Sequence, residues 1–512
     1  MSWPAVGKSL WARAAGITLV ACLALVPVWS ASRPATQDGP SHVYNAALAT
    51  WVRAGQAPFD SAFAVKTGVQ PNVATQVGLS MLGARLGWPL AERGFVSVVL
   101  LASFLTVLVL APCDAFAVML AAWFGSSWFL WMGFYDFALS IPCFILLLLV
   151  LRRPPGEARA LGILVALGLL YFTHVFTLAV GTGLAAFTIG VDARASRGSW
   201  RELWVVAPAI LAIAVGMLGG GAGSGGMAWT EPMLGRITDA GTGDFLTTLV
   251  DLDSVVGVIV VVAITVAVTS RLRRSADAAR GLTAVEMFGV ALLLLSLLAP
   301  DAIGEGGYIP VRMRILGALA LFPAMVGAIQ KLSPTVRRAA AAVLLAGFVL
   351  RTGWLVREGR VVDANRDTAQ RLLVQAGATD GAWMVSRLTV YRDWPSRIGV
   401  YRHLAEAIAT SPAITVVNNY ETLNDIFLVR WRNRPDWVLF RPAGDTLRAE
   451  LSPGSLTPPG PIFVLHERGR PVAAGDSTLH VARTVVGGSF AVTVLEKRRM
   501  VEASRDAAQT GR

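Results

Sequence analysis

Long apolar runs alternate with short basic loops through the first two thirds of the chain, and then the alternation stops. Runs of the length that crosses a bilayer as a helix, about 17–25 residues, lie near 12–31, 94–112, 114–132, 134–151, 159–174, 175–191, 203–219, 254–270, 282–299, 312–330 and 338–356. The pattern predicts a polytopic α-helical membrane protein with about eleven transmembrane helices. The stretch 159–191 reads as one long helix or as two, and the charges decide between them. With the N-terminus inside, Arg152, Arg153 and Arg159 face the cytoplasm, followed by Arg194, Arg197 and Arg201, then Arg271, Arg273, Arg274 and Arg280, then Lys331, Arg337 and Arg338. Every strongly basic short loop then lies on one side, as the positive-inside rule requires. Merging the pair would turn the later clusters outward. Two helices there, and an odd total, put the C-terminal tail outside.

Lys8 and Arg13 precede an apolar run that ends near Trp29-Ser30-Ala31, an arrangement shared with secretory signal peptides. The stretch from Ala14 to Ala31 approaches a full span, so a retained anchor is expected. Either way the segment after it lies outside the cytoplasm. After Val356 the composition turns polar. The expected division is a membrane domain over 1–356 and a soluble extracytoplasmic α/β domain over 357–512. Strand-like runs occur at Trp383–Tyr391, Ala413–Asn418, Trp437–Arg441, Ile462–His466 and Phe490–Leu495, with helical periodicity at Ala364–Val374 and Val400–Thr410.

Composition supports the membrane reading. Of 512 residues, 54% are hydrophobic and 15% charged, against about 25% charged in soluble proteins. The net charge of +12 would raise nucleic acid as a partner in a soluble chain. Here the basic residues sit in membrane loops, so no nucleic-acid partner is expected. Cys22, Cys113 and Cys143 lie in or beside apolar runs and have no metal-ligand spacing. The chain has no P-loop, dinucleotide fingerprint, Cys-x-x-Cys or His-Glu-x-x-His, so cytoplasmic nucleotide chemistry has little support.

Candidate chemistry gathers on the outer side. The first outer loop, 32–93, opens with Asp38-Gly39-Pro40-Ser41-His42-Val43-Tyr44-Asn45. Asp38 falls at a helix N-cap and Pro40 in the first turn. Helical spacing then puts His42 and Asn45 on roughly the face of Asp38. Asp38 is either a surface cap or a site residue. A second amphipathic stretch, Pro71 to Leu86, suits the membrane interface through Val73, Val77, Met81 and Ala84. The outer loop 219–253 starts with a glycine-rich hinge and carries Glu231, Arg236, Asp239, Asp244, Asp251 and Asp253. A short outer loop holds Asp301, Glu305 and Tyr308, followed by Arg312 and Arg314. Tyr135 and Asp136 begin the fourth span, and His174 ends the fifth.

Ionisable groups at membrane depth usually face a cavity or one another, and all of these lie on the side of Asp38. Each also has a plain structural reading. His174 is a hydrogen-bonded core histidine or a site residue, Asp136 a helix cap or a site residue, and Arg312 and Arg314 are interface anchors or phosphate binders. The two arginines stand two apart on a helix, so at most one faces a given site.

The Asp38…His42 arrangement, placed directly after the first span, resembles the Asp-Glu and Asp-x-x-x-His signatures of the GT-C superfamily of integral-membrane glycosyltransferases. The spans, the long first outer loop and the outer tail are similar to that superfamily too, and the GFYDF and NNYET segments have the character of its bacterial members. The resemblance implies transfer of a sugar from a polyprenyl-phosphate donor to a glycan, lipid or protein acceptor, at the outer face of the bacterial cytoplasmic membrane. It implies Asp38 as general base or orienting group and His42 beside it as catalytic residues. Substrate contacts would come from Asn45, Tyr135, Asp136, His174, Glu231, Asp301, Glu305 and Tyr308. Arg314 or Arg312 would steady the leaving phosphate, with loss of Arg314 expected to weaken donor use more, and a single displacement would invert the anomeric carbon. Loop 219–253 would close over the site. The chain departs from the Asp-Glu form, because Gly39 follows Asp38. No motif requires a divalent metal, and the cofactor stays open. In the tail, Trp394, His403, Asn418, Asn419, Tyr420 and Glu421 either bind acceptor or form a structural cap. The rival readings are a transporter or flippase, a lipid-linked glycan polymerase or ligase, and a noncatalytic envelope scaffold.

Overall fold

The computed structural model describes residues 6–219, 226–249, 253–273, 282–304, 306–388, 397–423, 427–432, 439–443, 446–450, 460–474 and 479–497. Among them, helices occupy the apolar runs. Trp88–Val109, Val175–Arg194, Ser254–Arg273, Ile309–Ile329 and Pro334–Gln375 are long and apolar enough to cross a membrane, and Arg13–Trp29, Ala115–Trp131, Tyr135–Leu151 and Ala284–Leu298 are shorter apolar helices. Exposed Leu105, Val109, Val258, Val262, Leu294 and Leu350 give this bundle a perimeter suited to lipid. Ile309–Ile329 is its most enclosed candidate span. It approaches Ala284–Leu298 closely at Gly289 and Gly317, where a Cβ would meet the other helix's backbone carbonyl.

The stretch 159–191 is two helices, Glu157–Thr173 and Val175–Arg194, separated at His174. His174 is extended, with φ −161° and ψ 114°, and its ring accepts the Thr177 N–H to cap the second helix. The expected boundary at 356/357 falls inside a continuous helix, Pro334–Gln375, of 42 residues. At 1.5 Å per residue it is about 63 Å long, roughly twice a hydrocarbon core of about 30 Å. The composition changes at Val356, but the helix does not end there. Its last turns, with Ala369, Leu372 and Leu373, belong to the core of the C-terminal domain.

That domain is built on a mixed sheet ordered Leu479–Gly487, Phe490–Lys497, Ile462–Glu467, Trp383–Arg387, Thr415–Val416. Ile462 pairs Leu495 antiparallel on one side and Trp383 parallel on the other. Trp383, Ile462 and Phe490 start strands where the alternation predicted them, whereas only part of the Trp437–Arg441 run lies among the described residues.

The first outer loop is stitched to this domain. Phe63–Val65 pairs antiparallel with Val429–Trp431, and the Phe63 and Trp431 rings lie 4.0 Å apart. α1 (Val6–Trp29) precedes α2 (Gly39–Arg53), which is buried from Gly39 to Ala49. Val43 and Ala46 join the core of the helical bundle, while Tyr44, Leu48 and Ala49 join the core of the C-terminal domain. α2 therefore runs along the seam between the two. The second amphipathic stretch forms Ala74–Leu86, with Leu79 buried and Val77 and Met81 exposed. That outward apolar face is what a helix lying in the interface needs.

Candidate active site

The site starts where α2 starts. The N–H groups of Gln37 and Asp38 donate to the carbonyls of Trp131 and Met132 at 3.1 and 3.0 Å. Two glycines permit this approach. Gly133 has φ +78°, and a Cβ there would meet the backbone of Asp38 and Gly39. A Cβ on Gly39 would meet the Thr36 hydroxyl, the Tyr135 hydroxyl and the Glu92 carboxylate. No side chain fits at position 39, and the carboxylate found there comes from Glu92 on Trp88–Val109. Glu92 is fully buried, accepts the Tyr135 hydroxyl at 3.1 Å and lies 3.8 Å from Arg33.

Asp38 holds the N-cap position, with proline in the first turn, yet its side chain makes no capping bond. That decides against a simple cap. Its Oδ1 accepts Gln37 Nε2 at 3.2 Å and lies 3.4 Å from His403 Nε2. Gln37 is itself oriented, its Oε1 accepting the Gly399 N–H at 2.8 Å. The opposite nitrogen of His403 lies 3.1 Å from Glu406 Oε1. Burial alone would raise the Asp38 pKa, but His403, Arg402 and Gln37 hold it below the usual carboxylate value. Burial likewise opposes charge on His403, and the Glu406 and Asp38 carboxylates overcome it, pushing the imidazole up to about 10. The pair is an anion facing a cation.

One turn on, His42 Nδ1 lies 3.1 Å from Glu421 Oε1, and Asn45 Nδ2 donates to Glu421 Oε2 at 2.8 Å. The helical spacing did place His42 and Asn45 together, and both meet the tail. Burial disfavours the His42 cation, but Glu421, Asp136 and Asp38 push its pKa up to about 9. The Tyr135 ring is 5.6 Å from the His42 ring.

Beyond His42 lies Asp136, half-buried, whose Oδ1 has no hydrogen-bond partner among the described residues. Asp136 is in turn within electrostatic reach of Arg312. The Arg312 guanidinium packs over the Phe134 and Phe137 rings at 5.4 and 5.5 Å. Its Nε is buried without a hydrogen-bond partner, and no acid forms an ion pair with it among the described residues. Tyr308, in the left-handed region with φ +60°, closes the aromatic group, 5.4 Å from Phe134 and 5.2 Å from Trp128. His174 adjoins it through Phe137, at 5.1 Å, while serving as a helix cap. Asp38, His42, Asp136 and Arg312 thus form a strip of alternating charge from the seam to the end of the bundle next to the C-terminal domain.

Other candidates lie apart from this strip. Arg314 is buried and donates to Asp244 Oδ2 at 2.7 Å and to the Arg236 carbonyl at 3.3 Å. Asp301 accepts the N–H groups of Thr230 and Glu231 at 2.6 and 2.9 Å and pairs with Arg236 at 2.9 Å. These bonds dock the second outer loop onto the bundle, so Arg314 and Asp301 serve that loop's attachment and Glu231 sits beside them. Glu305, Trp394, Asp251 and the glycine-rich hinge at 220–225 lie outside the described residues.

Sequence reasoning passed over Glu92, Gln37 and Glu406. Glu92, an acid beside an apolar run, carried the signal of a costly intramembrane charge. Gln37 and Glu406 carried none. Among the described residues, no group of three or more His, Cys, Asp or Glu side chains is placed to hold a metal ion.

No family model matches the chain, and no curated protein matches it. Two solved structures are similar to it along most of its length, both crystal structures of ArnT from Cupriavidus metallidurans. The one bound to undecaprenyl phosphate is 12% identical over 96% of this chain and 98% of that chain, with a TM-score of 0.47. The apo structure is 12% identical over 95% of this chain and 98% of that chain, with a TM-score of 0.48.

Proposed function

We propose that this chain is a membrane glycosyltransferase of the GT-C kind, moving a sugar from a polyprenyl-phosphate donor to a glycan, lipid or protein acceptor at the outer face of the bacterial cytoplasmic membrane. In this reading about eleven helices cross the bilayer, the N-terminus is cytoplasmic, and the tail domain is extracytoplasmic. The observation that carries it is the strip itself. A carboxylate at an N-cap that does no capping is joined through His42 and Asp136 to a guanidinium that has no acid partner among the described residues.

Each residue then has a chemical role. The lipid tail lies along the apolar bundle, and its phosphate meets Arg312, whose planar cation suits a phosphate. Arg312 takes this role over Arg314, whose charge is already balanced by Asp244. As the bond to the anomeric carbon breaks, negative charge grows on the leaving phosphate, and Arg312 and cationic His42 stabilise it. The Asp38 carboxylate orients the acceptor hydroxyl, whose oxygen bonds to the anomeric carbon as the bond to phosphate breaks and whose proton passes to the departing phosphate. An ion-paired carboxylate held below its usual pKa is a weak proton acceptor, so orientation suits it better than strong general-base action. A single displacement would invert the anomeric carbon, and the outer loop 219–253 would cover the site.

The test is incubation of purified protein with polyprenyl-phosphate-linked sugars and candidate acceptors, read by mass spectrometry. A sugar-sized mass gain on an acceptor, with release of polyprenyl phosphate, is expected. Intact donor throughout, in protein shown to be folded, would reject the proposal.

A further inference from the structure

Glu421 lies 376 residues beyond Asn45 in sequence yet contacts it directly. It has no solvent exposure. Its two oxygens divide between two α2 side chains, His42 Nδ1 at 3.1 Å and Asn45 Nδ2 at 2.8 Å. Asn419 completes the lock. Its Nδ2 donates to Asn45 Oδ1 at 3.0 Å. Its Oδ1 accepts the Ser41 hydroxyl at 3.3 Å and the Glu421 N–H at 3.2 Å. A buried carboxylate needs a cation and hydrogen-bond donors beside it, and His42 and Asn45 are those groups.

We infer that Glu421 is a positioning residue of the transfer site: by gripping His42 through Nδ1 it keeps that ring as a cationic donor and leaves Nε2–H for the donor's phosphate or the acceptor. The inference rests on the transfer reading above. It assigns the NNYET segment to the machinery around α2, in place of an independent acceptor-binding surface. The contact is a 3.1 Å ion pair that falls outside hydrogen-bond geometry at Nδ1, a carboxylate facing one imidazole nitrogen so that the other is left for chemistry. Among the described residues no hydrogen bond or ion pair engages Nε2 of His42. The groups that face this ring are Glu421 from the tail, Asp136 from Tyr135–Leu151 and Asp38 at the head of α2, with the Tyr135 and Phe427 rings at 5.6 and 6.5 Å. Burial opposes the cation, and Glu421 is the strongest influence favouring it. The outer domain thus supplies the charge that a histidine on the membrane side needs.

The test uses full-length protein in lipid nanodiscs, labelled at the ring nitrogens of its 5 histidines. His42 is assigned from the signal lost in His42→Asn, and its charge is followed by NMR from about pH 6 to about pH 10. Wild type should keep a charged His42 through about pH 8, and Glu421→Gln should lose that charge at least about two pH units lower. Glu421→Asp should restore it in part. In the transfer assay, Glu421→Gln should lose about tenfold or more in kcat near pH 8, with a much smaller loss near pH 6 and little change in KM for the acceptor. An unchanged His42 titration in Glu421→Gln, or equal losses of kcat at both pH values in folded protein, would overturn the inference. The NMR result stands apart from activity. A wild type that holds its His42 charge as expected but transfers no sugar would sink the transfer reading and not the Glu421–His42 linkage.

Discussion

Arg312 and Arg314 share a helix and a charge, and the structure gives them opposite tasks. Arg314 pairs at 2.7 Å with Asp244, and both are 2% exposed. Replacing Arg314 with methionine leaves the Asp244 carboxylate buried without its partner. Breaking a buried pair from one side costs about 3–5 kcal/mol. Arg397 also faces Asp244, which puts the expected cost at the lower end, about 3 kcal/mol. Arg314→Met should therefore unfold at a clearly lower temperature, with its remaining folded fraction still active. Arg312 has no ion-pair partner among the described residues and stacks on Phe134 and Phe137. Methionine keeps sulfur–aromatic contact there, so stability should change by no more than about 1 kcal/mol. If Arg312 stabilises the charge on the leaving phosphate, its removal should cost about 2.7–4 kcal/mol of the barrier, or about 100–1,000-fold in kcat. Thermal unfolding in detergent, followed by tryptophan fluorescence, and the transfer assay read the two effects separately. A stable, inactive Arg314→Met beside a fully active Arg312→Met would refute the assignment.

Gly133→Ala tests the seat of Asp38. The substitution forces an L side chain into φ +78° against the backbone of Asp38 and Gly39. Left-handed backbone costs about 1–2 kcal/mol and overpacking about 1–3 kcal/mol. Lower thermal stability and loss of transfer should appear together, and wild-type values of both would contradict the packing described. The ion pairs across the seam predict a pH dependence. His403 and His42 have raised values, so their stabilisation is fully present below about pH 6.5. It declines as pH rises and is lost through about 9 for His42 and about 10 for His403. Asp38 is depressed, so its share is present above the ordinary carboxylate value and is lost only in stronger acid. Thermal stability should fall on the alkaline side, and His403→Gln should flatten that fall. A fall of equal steepness in the variant would place its origin elsewhere.

Much of the membrane part was legible because bilayer thickness sets run length. Helices stand where the apolar runs do, and the pair around His174 is two helices, as the basic clusters required. The site was legible only in part. Asp38, His42 and Asn45 announced themselves by helical spacing, and Asp136 and Arg312 by their cost in a membrane. Sequence reasoning favoured Arg314 for the phosphate, because its partner Asp244 lies 70 residues away and left no local sign. His403 and Glu421 were visible as polar residues in the tail, but not their burial against α2. That contact depends on Pro334–Gln375 running unbroken into the C-terminal domain and on Phe63–Val65 pairing with Val429–Trp431. Such long-range closure leaves no local pattern. The strand Leu479–Gly487 went unread because several of its side chains are exposed, which weakens the alternation.

The central claim is that Asp38 serves chemistry at the seam instead of capping a helix. Asp38→Asn keeps the size of the side chain and a hydrogen-bond acceptor for Gln37, and removes the charge opposite His403. Measured beside wild type with the same polyprenyl-phosphate donor, the folded variant should lose about 100-fold or more in transfer rate while donor binding persists. Transfer at the wild-type rate by folded Asp38→Asn would contradict the account.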